Sequence, residues 1–290
     1  MDGSSTAGKI ALVTGATDGL GRALAGRLAA EGAVVIVHGR DPGRIDATVR
    51  EIVARSPDAR VSSYRADLSS IAETRTLAAS VETDFPRLDL LVNNAGIGSG
   101  GENSRRQTST DGYELRFAVN YLAGFLLATS LLPALARSPA ARIVNVASVG
   151  QAPIDFDDVM LEHGYTGRRA YSQSKLAQIL FTFELAERLR ASGRTNITVN
   201  ALHPSSLMPT KIVREAWDYT LSTLEDGLEA TWRPAASPEL EGVTGRYYDV
   251  LREARANDQA YDPDARRRLW DLSERLVSLP PDQEHTGNEQ

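Results

Sequence analysis

Short apolar runs alternate with longer helical patterns along almost the whole chain, and this alternation limits the fold more than any other feature of the sequence. The run at 34–37 is continuously apolar, which is typical of a strand covered on both faces. Strands separated by helices at this spacing predict a doubly wound α/β fold, in which helices cover both sides of a parallel sheet. Seven strands are expected, at 10–14, 34–38, 61–64, 88–93, 142–147, 197–202 and 246–250, with helices at about 20–31, 42–55, 70–83, 111–137 and 170–192.

The length of 290 residues suits one large domain, and no linker or internal repeat divides the chain. We expect this domain to span 9–279, between a flexible start at 1–8 and a flexible tail at 280–290. Cysteine is absent, which excludes disulfides and thiolate nucleophiles, and a net charge of −6 without a basic block argues against nucleic acid as a partner. No apolar run approaches the roughly 20 residues of a membrane span, and no secretory signal is recognised. A cytoplasmic protein is therefore expected.

A glycine-rich loop follows the first predicted strand, where the sequence TGATDGLG at 14–21 leads into a helix. Glycine permits a positive φ and lets a phosphate approach the backbone, while the helix N-terminus offers free N–H groups. A tight turn that binds nothing is the alternative, but the place of the loop at the first strand-to-helix junction favours a dinucleotide. The residues expected to hold it are Gly15, Thr17, Asp18, Gly19, Leu20 and Gly21.

The end of the second predicted strand carries information about the type of dinucleotide. The acidic residue that would bind both ribose hydroxyls of NAD is missing, because Gly39 stands there and Arg40 follows it, with Arg44 one helical turn further on. A guanidinium beside the ribose suits the 2′-phosphate of NADP. A solvated arginine at a strand end is the alternative, and Asp18 in the glycine loop would weaken the preference for NADP if it faced the phosphate.

Three side chains suited to acid–base chemistry occur in the second half of the chain. Ser148 follows the fifth predicted strand, and Tyr171 and Lys175 stand four residues apart at the start of a helix, on one face. An ammonium about 5 Å from the phenol, at an effective dielectric of about 20, is worth roughly 3 kcal/mol and lowers the tyrosine pKa by about 2. Ser148 can hydrogen-bond a substrate oxygen. Taken alone, the tyrosine and lysine could equally be a surface pair.

Together these motifs resemble the short-chain dehydrogenase/reductase family, from Lys9 to about Leu276. The resemblance rests on the glycine-rich loop, Asp67-Leu68, the sequence NNAG at 93–96, Asn120, Ser148 and the Tyr171/Lys175 pair. It implies a Rossmann fold and a proton relay in which Tyr171 exchanges the proton, Lys175 holds the nicotinamide ribose and lowers the tyrosine pKa, and Asn120 positions a water. The catalytic residues implied are Asn120, Ser148, Tyr171 and Lys175, and the further cofactor-binding residues are Asp67, Leu68, Asn94, Ala95, Gly96, Pro204 and Thr210, besides Tyr171 and Lys175.

A long insert between Ser148 and Tyr171, at 152–169, is similar to that of retinol-dehydrogenase-like members, as are the segment 113–120 and the tail around 266–270. Such members act on apolar molecules. The insert and the segment 205–219, which contains Leu207, Met208, Trp217 and Tyr219, are the expected substrate walls, with ordinary lid packing as the alternative.

Two departures from the family pattern affect the nicotinamide side. Pro204 is followed by Ser205 where the family has glycine, and the threonine that meets the carboxamide comes one residue late, as Thr210. His203 is interpreted as structural and His163 as a surface residue. Since no cluster has metal-ligand spacing, no metal is predicted.

The sequence therefore predicts an oxidoreductase that transfers a hydride between NADP(H) and a carbonyl or secondary alcohol of an apolar small molecule. Epimerisation or dehydration through a transient keto intermediate is one alternative, although little chain remains after the sixth strand for a large substrate domain. A dinucleotide-binding regulator without turnover is the other, and a complete catalytic set argues against it.

Two predicted helices, at 117–132 and 176–189, are apolar on more than one face. A helix that is apolar all round must be covered all round. We therefore expect a homo-oligomer that packs these helices against those of another copy. Coverage by the insert or by the C-terminal segment is the alternative.

Overall fold

Eight strands of the described chain form one sheet in the order β3-β2-β1-β4-β5-β6-β7-β8. The structure is a computed structural model that describes residues 6–101, 104–214 and 219–278. All neighbouring strands are parallel except the last pair, β7 and β8. The strands are β1 Ile10–Val13, β2 Val34–Gly39, β3 Arg60–Arg65, β4 Leu90–Asn93, β5 Ala141–Val146, β6 Ile197–His203, β7 Arg246–Asp249 and β8 Arg252–Glu253.

The predicted doubly wound sheet is confirmed, and each of its seven predicted strands is present with ends shifted by one or two residues. The eighth strand is a two-residue antiparallel addition, which is too short to leave a period-2 pattern in the sequence. The strand order reverses direction between β1 and β4. A crevice opens at such a switch point, beyond the carboxyl ends of the strands, and ligands of this type of sheet bind there.

The helices surround this sheet on both faces. Their N-termini are capped by side chains of Asp18, Asp41, Ser70, Thr166 and Thr223, each of which accepts a hydrogen bond from a backbone N–H of the first turn. The helices are α1 Gly19–Ala30, α2 Pro42–Arg55, α3 Ile71–Asp84, α4 Ala123–Ser130, α5 Leu132–Ala136, α6 Gly167–Ala191, α7 Lys211–Arg214, α8 Leu224–Ala236 and α9 Pro263–Ser278, with short 3₁₀ turns at Pro238–Leu240 and Asp258–Tyr261.

The single helix predicted at 111–137 is instead divided into three pieces. A π-helical segment at Phe117–Leu122 leads into α4, and the chain breaks at Leu131 before α5, whose first turn contains Pro133. Proline has no N–H to donate and is tolerated at the start of a helix, so the break falls where the sequence permits it. Asn120 lies in the π-helical segment, and such segments often occur at functional sites.

Two apolar clusters fill the space between sheet and helices. One joins β1 and β2 to α1 and α8, through residues such as Val13, Leu24 and Leu228. The other lies on the opposite face and joins the sheet to α3, α4, α6 and α9. The sheet is thus covered on both sides, and its strand ends are held rigidly at the crevice.

The C-terminal helix α9 covers the outer faces of α4 and α6. The Trp270 ring lies 5.1 Å from Phe125 of α4 and 6.1 Å from Phe181 of α6, measured between ring centroids. The Arg188 guanidinium stacks 4.1 Å from the centre of the same indole. These are the faces predicted to contact another copy, and α9 occupies them within the chain, so their apolar pattern does not require a second copy. The alternative, coverage by the C-terminal segment, is confirmed. The homo-oligomer itself stays a prediction.

The ends of the chain differ partly from the expectation. Residues 6–8, predicted to be flexible, pack against the body, since Thr6 is buried and the Gly8 N–H donates to the Gly32 carbonyl at 3.0 Å. Residues 1–5 and the tail from 279 lie outside the described residues. Within the described part, no helix is both long and apolar enough to cross a bilayer.

Candidate active site

A cleft of about 700 Å³ lies at the carboxyl ends of the central strands. Every residue predicted to bind the cofactor lines it, and so does Ser148. The predicted residues in its wall are Gly15, Thr17, Asp18, Gly19, Leu20, Gly21, Arg40, Asp67, Leu68, Asn94, Ala95, Gly96, Tyr171, Lys175, Pro204 and Thr210. Asn120 is the one predicted site residue that lies behind this wall.

The glycine loop has no room for a side chain at Gly15 or at Gly21. Gly15 has a φ of +64°, and a Cβ built there would stand 2.9 Å from the Ala95 Cα. A Cβ on Gly21 would overlap the Asn94 amide and the Gly15 carbonyl. The loop therefore exposes bare backbone at the N-terminus of α1, whose free N–H groups and positive dipole end suit a pyrophosphate. By this test the residues present fit a dinucleotide.

The loop after β4 is fastened to the glycine loop by hydrogen bonds. The Thr14 hydroxyl accepts from the backbone N–H groups of Asn94 and Ala95, both at 3.0 Å, and the Asn94 side-chain amide donates to the Thr14 carbonyl at 2.8 Å. The resemblance assigned Asn94 and Ala95 to cofactor binding, and the structure shows that they also have a supporting role. They hold the two walls of the crevice together.

His38 also supports the glycine loop, and sequence reasoning missed it. Its Nδ1 accepts from the Gly15 N–H at 3.2 Å, and its Nε2 lies 3.1 Å from the Ala66 carbonyl. Burial lowers the pKa of His38 to about 4, so the ring is neutral at pH 7 and Nε2 carries the proton. The signal available in the sequence was a histidine ending an otherwise apolar strand.

The arginines after β2 lie at the outer end of the cleft. Asp18 caps α1 through Oδ1, at 2.8 Å from the Gly19 N, and its Oδ2 lies 3.6 Å from Arg44 Nη1. Asp18, whose charge would weaken the preference for NADP if it faced the 2′-phosphate, is therefore paired with Arg44. Gly39 has a second reason to be glycine, since a Cβ there would stand 2.5 Å from the Thr17 methyl group.

The predicted catalytic side chains converge on the middle of the cleft. Ser148 follows β5, and its hydroxyl and the Tyr171 ring of α6 both adjoin Gly150. The Lys175 Nζ lies 5.7 Å from the centre of the Tyr171 ring, which confirms that the two share one helix face. Asn120 is buried, and its side-chain NH₂ donates to the Ser174 hydroxyl at 2.9 Å and to the Ile97 carbonyl. Its Oδ1 accepts from the Ile97 N–H. Its Oδ1 and the Lys175 Nζ both adjoin Gly96.

Burial shifts the pKa values of both central groups. It raises the pKa of Tyr171, against the opposing effect of the nearby Ser148 hydroxyl, and it lowers the pKa of Lys175 to about 7. The sequence argument considered only the charge of the lysine on the tyrosine. In the structure, desolvation of the phenol is the larger effect, and it raises the tyrosine pKa instead of lowering it.

The expected substrate walls are only half right. The segment after β6 lines the cleft with Leu207, Met208 and Tyr219, and Leu221 continues it; Trp217 lies outside the described residues. Of the insert 152–169, only Arg168 reaches the cleft. The rest was wrongly assigned, because its apolar side chains, such as Ile154 and Leu161, are buried against the body of the protein.

The segment after β6 contains both departures from the family pattern, Ser205 and Thr210. His203 is buried, and its Nε2 lies 3.1 Å from the Ser206 hydroxyl, in keeping with a structural role. Leu207 has a φ of +50°, which is unusual for a branched residue. The Thr210 side chain lies over Gly19, so the late threonine still reaches the cofactor side of the cleft.

Two further residues position Ser148 and were not predicted. The Ser148 carbonyl accepts from the Tyr247 hydroxyl at 3.1 Å and from the Gln151 amide at 2.9 Å.

His163 is exposed at the surface, as interpreted from the sequence. The described residues contain no group of three or more side chains that could hold a metal.

Comparisons with known proteins agree with this geometry. The family model described as short chain dehydrogenase matches residues 9–219. Retinol dehydrogenase 14 of Homo sapiens is 37% identical over 301 residues, which cover 94% of this chain and 87% of that protein. Polyprenol dehydrogenase of Mus musculus is 37% identical over 288 residues, covering 93% of this chain and 84% of that protein.

Solved structures show the same fold. An uncharacterized protein from Mycobacterium Paratuberculosis superimposes with a TM-score of 0.77 at 29% identity, covering 96% of both chains. A metagenomic short-chain oxidoreductase in complex with NADP gives a TM-score of 0.65 at 27% identity, covering 88% of this chain and 100% of that chain. With the glycine loop and the Ser148, Tyr171 and Lys175 cluster in place, the chain belongs to the short-chain dehydrogenase/reductase family of oxidoreductases, in its retinol-dehydrogenase-like subgroup.

Proposed function

We propose that this protein is an NADP(H)-dependent oxidoreductase that interconverts a carbonyl group and an alcohol on an apolar small molecule. The observation that carries the proposal is the convergence of Ser148, Tyr171 and Lys175 in a cleft that also contains the bare glycine loop. Epimerisation and a purely regulatory role gain no support from any particular contact.

The cofactor, when bound, would supply or accept a hydride at the nicotinamide C4. Tyr171 donates its phenolic proton to the substrate oxygen as the carbonyl carbon accepts the hydride, and takes the proton back in alcohol oxidation. Ser148 holds the same oxygen by a hydrogen bond. Lys175 donates two N–H groups to the protein, which leaves a third for the nicotinamide ribose.

The NADP assignment rests on charge at the end of β2. The strand ends at Gly39 and not at a carboxylate, and Asp41, two residues later, caps α2. Exposed Arg40 and Arg44 both line the cleft. Because Asp18 is engaged by the α1 N-terminus and by Arg44, it does not stand unpaired against a 2′-phosphate. Binding of NADP by the metagenomic relative supports the same assignment.

The apolar substrate rests on the mouth of the cleft. Val149, Tyr219 and Leu221 line it although they are 49%, 56% and 69% exposed. Apolar side chains left in water at the mouth of a pocket favour an apolar ligand. The names of the relatives, retinol and polyprenol dehydrogenases, point to the same class of substrate.

Competitive binding of NADPH and NADH to the free protein tests the cofactor assignment. A charge-assisted contact of roughly 1.5–3 kcal/mol predicts that NADPH binds about 10- to 100-fold more tightly. Arg40→Ala should remove most of this preference and leave NADH affinity unchanged. Arg50→Ala is the matched control, since Arg50 is exposed on α2 but outside the cleft. Equal affinities in the parent protein would contradict the assignment.

A panel of apolar aldehydes, ketones and alcohols with NADPH and NADP tests the substrate assignment. We expect turnover that rises with the apolar surface of the substrate, because the mouth of the cleft is apolar. Turnover confined to small polar carbonyls would contradict it.

A further inference from the structure

Gln178 contacts the catalytic lysine from within the same helix. It lies three residues after Lys175 on α6, is 3% exposed, and its Oε1 accepts from the Lys175 Nζ at 3.0 Å. The second acceptor of that ammonium is the Val146 carbonyl at the end of β5, at 2.8 Å. Both acceptors are uncharged, and the lysine itself is buried.

A neutral acceptor has a specific consequence for a buried ammonium. A hydrogen bond to the charged form favours that form, while desolvation favours the neutral amine. A carboxylate in the same place would also keep the lysine charged, but its own charge would cancel the positive field on Tyr171. An amide oxygen holds the proton on the lysine without cancelling that field.

No other ionisable group that faces Lys175 and Tyr171 in the described chain stabilises the lysine ammonium, so Gln178 is the side chain that does. Within the described residues, the ionisable groups that face this pair are His203 at the end of β6 and Tyr247 on β7, which adjoins Tyr171. Burial and the Lys175 charge lower the pKa of His203, so its ring is neutral at pH 7. Asp249 on β7 acts on His203 and Tyr247. No carboxylate hydrogen-bonds the Lys175 Nζ in the described chain.

We propose that Gln178 is a positioning residue that keeps the Lys175 ammonium protonated and directed toward the cleft. The proposal rests on the function proposed above, in which Lys175 supports proton transfer by Tyr171. It concerns the protonation of Lys175 in the free protein, so it is tested separately from turnover.

The direct test is the titration of Lys175 by NMR in protein with isotope-labelled lysine side chains. The chain contains three lysines, Lys9, Lys175 and Lys211, so three signals are expected, and Lys175→Met identifies the relevant one. In the parent we expect a midpoint near pH 7. Gln178→Met should lower that midpoint by about one pH unit, and Gln178→Glu should raise it by at least as much.

Activity against pH gives a second readout. In Gln178→Met the alkaline limb of carbonyl reduction should move to lower pH by the same amount as the lysine midpoint. In Gln178→Glu the limb should move to higher pH while the maximal rate falls about tenfold or more, because the carboxylate cancels the field on Tyr171.

Gln173→Leu is the matched control for a merely structural effect. Gln173 is also a buried glutamine of α6, but its side chain bonds the Asp155 N–H and the Val159 carbonyl of the insert. It should lower the melting temperature without moving the Lys175 midpoint. An unchanged midpoint in both folded Gln178 variants would overturn the proposal, even if turnover proved the proposed function right. Opposite shifts in the two variants would support it, even if no substrate were found.

Discussion

The two halves of the cleft are built in different ways. The half that fits the dinucleotide consists of backbone turns at the ends of β1 and β4, tied together by Thr14 and Asn94. The substrate half consists of side chains on longer segments, among them Val149, Leu207 and Leu221. A tight turn tolerates very few residue types, whereas an apolar wall tolerates many. Changes in the first half should therefore affect binding of the cofactor for any substrate, and changes in the second should affect only the choice of substrate.

Tyr171 stands where the two halves meet, and its loss should have the largest effect. Tyr171→Phe keeps the ring and removes the transferable proton, so turnover should fall by about 100- to 10,000-fold while NADPH affinity stays within about twofold. Steady-state rates and a binding titration measure the two quantities. Tyr219→Phe, a change in an exposed tyrosine of the same cleft, should keep nearly full activity. Near-normal turnover in Tyr171→Phe would separate this residue from the chemistry.

His38 should make the cofactor half sensitive to acid. Its folded pKa is about 4, below the ordinary 6.5, so between these values the unfolded chain binds a proton that the folded protein does not. The free energy of unfolding should therefore fall by about 3 kcal/mol as the pH drops from 7 to about 4. Urea unfolding at both ends of this range measures the loss.

His38→Gln should remove that part of the pH dependence, whereas His163→Gln, a change in an exposed histidine, should leave it intact. If the pH dependence is the same in His38→Gln as in the parent, the histidine is not the buried neutral support of Gly15 described above.

Gly15→Ala, a change in the cofactor half, should lower the affinity for NADPH by about tenfold or more. Alanine at a positive φ costs about 1–2 kcal/mol, and its methyl group would push Ala95 away. Gly193→Ala is the matched control, because Gly193 has a φ of +74° with no atom within 4 Å of a built Cβ. It should reduce stability by about 1 kcal/mol and leave NADPH affinity unchanged. Equal cofactor affinities for the two variants would show that the Gly15–Ala95 contact does not shape the site.

Leu221→Ser should have the smallest effect and should be confined to the substrate half. Since Leu221 is 69% exposed, its loss should raise the KM for an apolar substrate by a few-fold, with kcat and NADPH affinity unchanged. Leu251→Ser, which alters an exposed leucine away from the cleft, is the control. An equal rise of KM in the two variants would remove Leu221 from the substrate path.

The same contrast explains what the sequence could predict. Gly15 and Gly21 stand where only glycine fits, so a motif reveals them, and Tyr171 and Lys175 share a face through the regular geometry of one helix. His38 hydrogen-bonds Gly15 across the fold, and Gln178 hydrogen-bonds Lys175 along the buried face of one helix. A histidine or a glutamine in a sequence does not by itself indicate such a role. A pattern of apolar residues shows that a surface is covered, but not by what.

The insert and α9 illustrate that last limit. The insert was predicted to face substrate, yet Gln173 and Gln259 fasten its backbone to the body of the protein. The faces of α4 and α6 were predicted to meet another copy, yet Trp270 covers them. In both cases the outcome depends on long-range packing, which periodicity along one segment does not specify.

Isotope transfer tests the central claim most directly. The free protein is given an apolar aldehyde or ketone and NADPH deuterated at the transferable C4 position, and the organic product is analysed by mass spectrometry. The account predicts one deuterium on the carbinol carbon of the product and one equivalent of NADP formed, with the rate reduced at least about 100-fold in Tyr171→Phe. An alcohol product without deuterium, or consumption of carbonyl without oxidation of NADPH, would contradict the account.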